Sequence, residues 1–106
     1  PIEISNFCKI LEILLSKKKT GIFNISSNIK ISRYTFAKQT AKIFNLDNKL
    51  IIKAKYLNKK NIDKPLNSSI SNKKIKKIKE VKIMSVIQSL KKLKYEEKNS
   101  SYNSCI

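Results

Sequence analysis

Histidine and tryptophan are absent from this 106-residue chain, glycine occurs once, and Arg33 is the sole arginine among 24 basic side chains. Each scarcity removes a class of chemistry. Without histidine there is no Ser-His-Asp relay. With Gly21 alone, no glycine-rich loop can cradle phosphates ahead of a helix, so the chain does not hold a dinucleotide by that route. The two cysteines, Cys8 and Cys105, lie near opposite ends and form no metal-ligand spacing. Cys8 sits among apolar residues and is expected to pack as a small hydrophobe; a reduced, cytoplasmic setting is the simpler reading. No apolar run approaches the roughly 20 residues a membrane span requires, so no membrane partner is expected. Pro1-Ile2-Glu3 lacks the basic stretch of a signal peptide, and a start at Pro1 without methionine reads as a trimmed chain or a fragment. Cys105 is next to last, which excludes a prenylation box.

Acidic residues are scarce as well: seven, against 24 basic ones, for a formal net charge of +17. Such a chain attracts anions, whether nucleic acid, a phosphorylated small molecule or an acidic partner surface. Lysine, asparagine and isoleucine crowd the chain, however, and these are residues that A/T-rich codons specify. Base readout leans on the planar fork of arginine. A lysine excess with one arginine therefore reads as codon drift, and nucleic acid is not the favoured partner.

What is present organises into short elements. Ser5 or Asn6 is placed to cap a helix to about Ser16, with Phe7, Ile10, Leu11 and Leu14 on one stripe and Gly21 ending the unit. Gly21 to Ser26 reads as a short buried strand. Ser32 caps a second helix, about Arg33 to Phe44, with Tyr34, Ala37, Ala41 and Phe44 on one face. Leu50 to Ala54 reads as a second strand, and strand–helix–strand of this length is a βαβ unit with parallel strands. Tyr56 to Asn72 is polar, with a short strand expected at Ser68 to Ile70. Ser71 or Asn72 would cap a short helix through Ile78, and Ser85 a last helix to about Tyr95, striped by Ile83, Val86, Ile87 and Leu90. Residues 1–95 form one domain; 96–106 read as a polar, frayed tail. The expected fold class is α/β, short parallel strands with flanking helices.

Four groups of residues invite a chemical reading. Tyr34 and Lys38 have the Tyr-x-x-x-Lys spacing of a proton-donating pair, but lysine is so common that Tyr56 with Lys60 fits equally well, and the Tyr34 ring belongs to the apolar face. The seven carboxylates are scattered and form no pair for acid–base work. Lys73, Lys74, Lys76, Lys77 and Lys79, broken by Ile75 and Ile78, suit a helix with two buried contacts and a solvated basic face. Asp63 to Ser69 sets a cation beside short hydroxyl and amide groups, a combination able to hold a phosphate, although it also reads as an ordinary polar turn around Pro65.

Several stretches, in order, resemble the C-terminal part of dTDP-4-dehydrorhamnose reductases, which are extended short-chain dehydrogenases. Pro1 to Cys8 looks like that family's entry to a helix, where aspartate often stands at the position of Asn6. Gly21-Ile22-Phe23-Asn24 is similar to its G-I-[YF]-[NH] strand. Ser32 to Ala37 resembles S-x-Y-x-F-A, and Lys64-Pro65-Leu66-Asn67-Ser68 resembles R-P-x-N-S. The likeness spans residues 1–95. It implies a small C-terminal substrate domain that lacks the nucleotide-binding Rossmann half, where the family's catalytic Tyr and Lys and its cofactor loop lie. On this reading the chain carries no catalytic, cofactor-binding or metal-binding residue. The full-length parent would use NADP or NAD to reduce a dTDP-linked 4-keto sugar in rhamnose synthesis. This chain would hold the dTDP-sugar through Lys64, Asn67 and Ser68 and partner the missing N-terminal nucleotide-binding domain. Lys64 departs from the family's arginine, which keeps the charge and loses the two-pronged geometry. The alternatives are a related sugar-nucleotide epimerase or dehydratase fragment, a non-catalytic homologue that binds a partner as the regulatory subunit of methionine adenosyltransferase does, and a small basic nucleic-acid-binding protein.

Overall fold

In the computed structural model, which describes residues 1–54, 65 and 67–100, the first helix starts from Glu3 rather than Ser5 or Asn6. The Glu3 carboxylate accepts from the Ser5 and Asn6 backbone N–H groups at 2.8 and 2.9 Å, satisfying donors that a helix start leaves open and placing negative charge where the helix dipole favours it. Helix α1 (Ile4–Ser16) ends at Ser16 as the sequence places it, and the chain reverses at Lys18 rather than at Gly21, Lys18 taking the left-handed conformation at φ 49°. Lys18 N–H then donates to Leu15 and Lys19 N–H to Leu14, both at 3.0 Å, which closes a Schellman motif.

Helix α2 (Arg33–Ile43) starts where the sequence places it, with Ser32 Oγ accepting from Thr35 N–H at 3.1 Å. Asn45 repeats the ending of α1 with φ 55°, and Leu46 N–H donates to Ala41 at 2.8 Å. Helix α3 is short (Lys73–Lys76). Helix α4 (Val86–Asn99) opens with a capping box in which Gln88 N–H donates to Ser85 Oγ and Ser85 N–H to Gln88 Oε1. It continues past Tyr95 to Asn99.

The core is small. Ile10 and Leu14 of α1, Ala41 of α2, Ile75 of α3, and Val86 and Leu90 of α4 are its buried apolar side chains. Helix α2 packs on α4, and the Lys94 ammonium of α4 donates to the Ile43 carbonyl at the C-terminal end of α2, where a cation suits the dipole. Buried polar groups join the elements. Asn6 Nδ2 donates to Lys82 O at 2.8 Å, and Met84 N–H donates to Asn6 Oδ1 at 3.0 Å, fixing α1 against the approach to α4. Cys8 is exposed rather than packed, and Leu11 is exposed while Asn6, Ile10 and Leu14 are buried, so the buried face of α1 is turned away from the expected stripe.

The α/β expectation is overturned: among the described residues there are helices and no strand. Two competitions decide this. Asp47 draws the start of the second expected strand into a 3-10 turn (Asn48–Leu50), its carboxylate accepting from Lys49 N–H at 2.9 Å. In the first, side chains take carbonyls that a ladder would use: Lys74 Nζ donates to Ile22 O at 2.8 Å and Asn72 Nδ2 to Ser26 O at 3.0 Å. Burial, the premise of the first strand, fails at Ile22, and the second segment is exposed as well. Ile22 and Ile52 are each 84% exposed and Leu50 81%. Ser68 to Ile70 likewise forms no strand.

Candidate functional site

Of the three expected substrate contacts, the structure describes two, Asn67 and Ser68. Lys64 lies outside the described residues, as do Tyr56 and Lys60. Asn67 and Ser68 are exposed. Asn67 Oδ1 accepts from Ser69 N–H at 3.1 Å and from Ser69 Oγ at 2.7 Å, an Asx turn that orients the side chain. Its Nδ2 group and the Ser68 hydroxyl make no hydrogen bond among the described residues, which leaves two donors on the surface of a held loop.

That loop is tied to the segment after Gly21. Ser26 Oγ donates to Ile70 O at 3.2 Å. Asn72, only 7% exposed, directs Nδ2 at Ser26 O, Ser27 O and Asn28 Oδ1, at 3.0, 3.2 and 3.0 Å. One amide nitrogen carries two hydrogens, so these three acceptors share them. Asn72 is the N-cap of α3, yet its Oδ1 accepts no cap bond, while its Nδ2 donates to the 26–28 loop.

A second feature joins residues far apart in sequence. Lys17, Lys19, Phe23, Lys74, Lys77, Ile78, Lys79 and Glu80 line an open cleft of about 430 Å³. Lys18 in its left-handed turn lets Lys17 and Lys19 reach the same space. Ile75, fully buried, anchors α3, while Ile78 N–H to Ile75 O and Val81 N–H to Ile78 O, both 3.1 Å, fold the following residues into successive turns. The Lys74 ammonium lies 4.2 Å from the Phe23 ring centroid, a cation–π contact. Lys17 pairs with Glu80 at 2.8 Å, and that hydrogen bond holds the Glu80 carboxyl below its ordinary range. Sequence spacing gives no sign of this convergence, because Lys17 and Lys19 lie more than 50 residues from Lys74, Lys77 and Lys79.

The Tyr34–Lys38 pair is not arranged for proton transfer. Lys38 Nζ lies 5.2 Å from the centroid of the Tyr34 ring, over its face, and Tyr34 is half-buried. At the start of α1, burial alone would raise the Glu3 carboxyl. Hydrogen bonds from Ser5, Asn6 and Lys92 outweigh it and hold the pKa at about 2. Lys92 Nζ sits 3.3 Å from Glu3, also bonds Ser5 Oγ, and lies 3.7 Å from Glu96. This cluster joins α4 to α1 and is structural.

Among the described residues, no group of three His, Cys, Asp or Glu side chains is placed to hold a metal ion, and no helix is long and apolar enough to cross a membrane. No protein-family model, curated protein or solved structure matches the chain. The likeness to dTDP-4-dehydrorhamnose reductases therefore rests on the motifs quoted above.

Proposed function

We propose that this chain is the non-catalytic, substrate-holding part of a reductase acting on a dTDP-linked 4-keto sugar, the role its motifs resemble. One observation carries the reading. Two of those motifs, Gly21 to Ser26 and Lys64 to Ser71, are joined where Ser26 Oγ donates to Ile70 O, and Asn72, the residue after Ser71, donates to Ser26 O, across more than 40 residues of sequence. The resulting loop presents the Asn67 amide and the Ser68 hydroxyl to solvent, donors suited to a phosphate or a sugar hydroxyl. Hydride transfer from NADPH or NADH belongs, on this reading, to a nucleotide-binding part outside these residues. Cytoplasmic residence is part of the same proposal, in keeping with the free thiol of Cys8.

Titration calorimetry of the chain with dTDP-glucose tests it. The expected result is saturable binding, weakened about tenfold by Asn67→Ala with Ser68→Ala, and no oxidation of NADPH by the chain alone. Heat that never saturates, or equal affinity in the double variant, would overturn the proposal.

A further inference from the structure

We infer that the cleft between the end of α1 and the turns after α3 is a binding site for a di- or triphosphate group, separate from the Asn67–Ser68 loop and independent of the reading above. Lys17, Lys19, Lys74, Lys77 and Lys79 bring five ammonium groups to its wall against the single carboxylate of Glu80, so four positive charges go uncompensated there. Like charges gathered around one concavity repel one another, and a polyanion relieves that repulsion. Some lysines elsewhere are committed to other tasks, whereas these five converge on one concavity from two parts of the chain more than 50 residues apart. Lys92 serves Glu3, Lys94 closes the end of α2, and Lys38 covers Tyr34.

The cleft is also partly pre-organised. Lys74 is held between the Ile22 carbonyl at 2.8 Å and the Phe23 ring, and Lys17 is held by Glu80. Lys19, Lys77 and Lys79 line the cleft and make no side-chain hydrogen bond or ion pair among the described residues. The ammonium of lysine binds phosphate as a point charge with three donors. A volume of about 430 Å³ falls in the range of small-molecule sites, which favours a compact multiply charged group over a long polymer. The Phe23 face is occupied by Lys74 and offers no open platform for stacking bases, the feature single-strand binders rely on.

The test is calorimetric titration of the full 106-residue chain with inorganic triphosphate, repeated with a nucleoside triphosphate and with a single-stranded DNA oligonucleotide. Two triple variants of equal charge are compared. Lys19→Ala, Lys77→Ala and Lys79→Ala strip the cleft; Lys30→Ala, Lys49→Ala and Lys91→Ala remove exposed lysines that do not line it. The expected result is one-site binding of triphosphate, weakened about tenfold or more by the cleft set and less than about twofold by the control set. Equal affinity for the two triphosphates assigns recognition to the phosphates alone; tighter binding of the nucleoside form adds a contact of the base or sugar beside the phosphate cleft. Equal loss in both triple variants would show that net charge alone acts, and would overturn the site. DNA binding that is tighter than triphosphate and steeply salt-dependent would overturn it in favour of nucleic acid. Asn67→Ala with Ser68→Ala leaves triphosphate affinity unchanged, so failure here and failure of the reductase reading are distinguishable.

Discussion

Asn6 grips the backbone at Lys82 and Met84 with both ends of its side-chain amide, across 76 and 78 residues of sequence. Being 5% exposed, it cannot hand these partners to water when removed. Asn6→Ala is expected to destabilise the fold by about 2 kcal/mol, since a carbonyl and an N–H, both in part-buried hydrogen bonds, lose their partner. Asn6→Asp keeps the acceptor for Met84 and loses the donor to Lys82, so it should cost less than alanine if Lys82 O can rehydrate, and more if it cannot. Urea unfolding followed by circular dichroism reads both.

The Glu3 cluster sets an acid limit. The Glu3 pKa is lowered from 4.5 to about 2 in the folded chain, so between those values the unfolded state binds the extra proton. Stability from this group is therefore fully present above about pH 4.5 and is lost as pH falls toward 2. The urea midpoint should drop across that window in the native chain and drop less in Glu3→Gln. An identical slope in both would contradict the assignment.

Asn72→Ala should release the 26–28 loop from the start of α3. The expected cost is about 1 kcal/mol, the loss of hydrogen bonds to part-buried carbonyls. Faster amide exchange at residues 26–28, with α1 and α4 protected as before, would locate the effect.

Gly21 sits at φ +101°, a conformation that side chains rarely adopt, and a Cβ there would meet Lys74 Nζ at 3.3 Å. The ammonium is the far end of a flexible chain and can yield, so backbone strain decides the outcome. Gly21→Ala should cost about 1 kcal/mol or more and displace Lys74 from Phe23, weakening triphosphate binding at the cleft. Thermal unfolding and the same calorimetry check the two parts.

Local signals carried the helices: Ser32 and Ser85 cap where short hydroxyl residues precede apolar periodicity. Helix α1 is capped two or three residues before Ser5 or Asn6 because a glutamate, Glu3, serves where serine or asparagine is the usual cap. The strands failed for a reason beyond local sequence. Ile22, Leu50 and Ile52 have the composition of buried strands, but a strand exists only with a partner, and here Lys74, Asn72 and Asp47 claim the backbone first. Asn67 and Ser68 were legible as a polar turn, and the structure adds the Asx geometry. The lysine cleft was invisible, since it depends on a left-handed Lys18 and on Ile75 anchoring a four-residue helix. Neither feature is written in residue spacing.

The most direct measurement of the central claim is a nitrogen-15 NMR titration of the chain with dTDP, run beside one with inorganic triphosphate. The expected result is that dTDP shifts the amides of residues 67–70 in a saturable way, while triphosphate shifts those of residues 17–19 and 74–79 and leaves 67–70 in place. If dTDP moves nothing at 67–70 beyond what triphosphate moves, the chain does not hold a nucleotide sugar there and the proposed function is wrong.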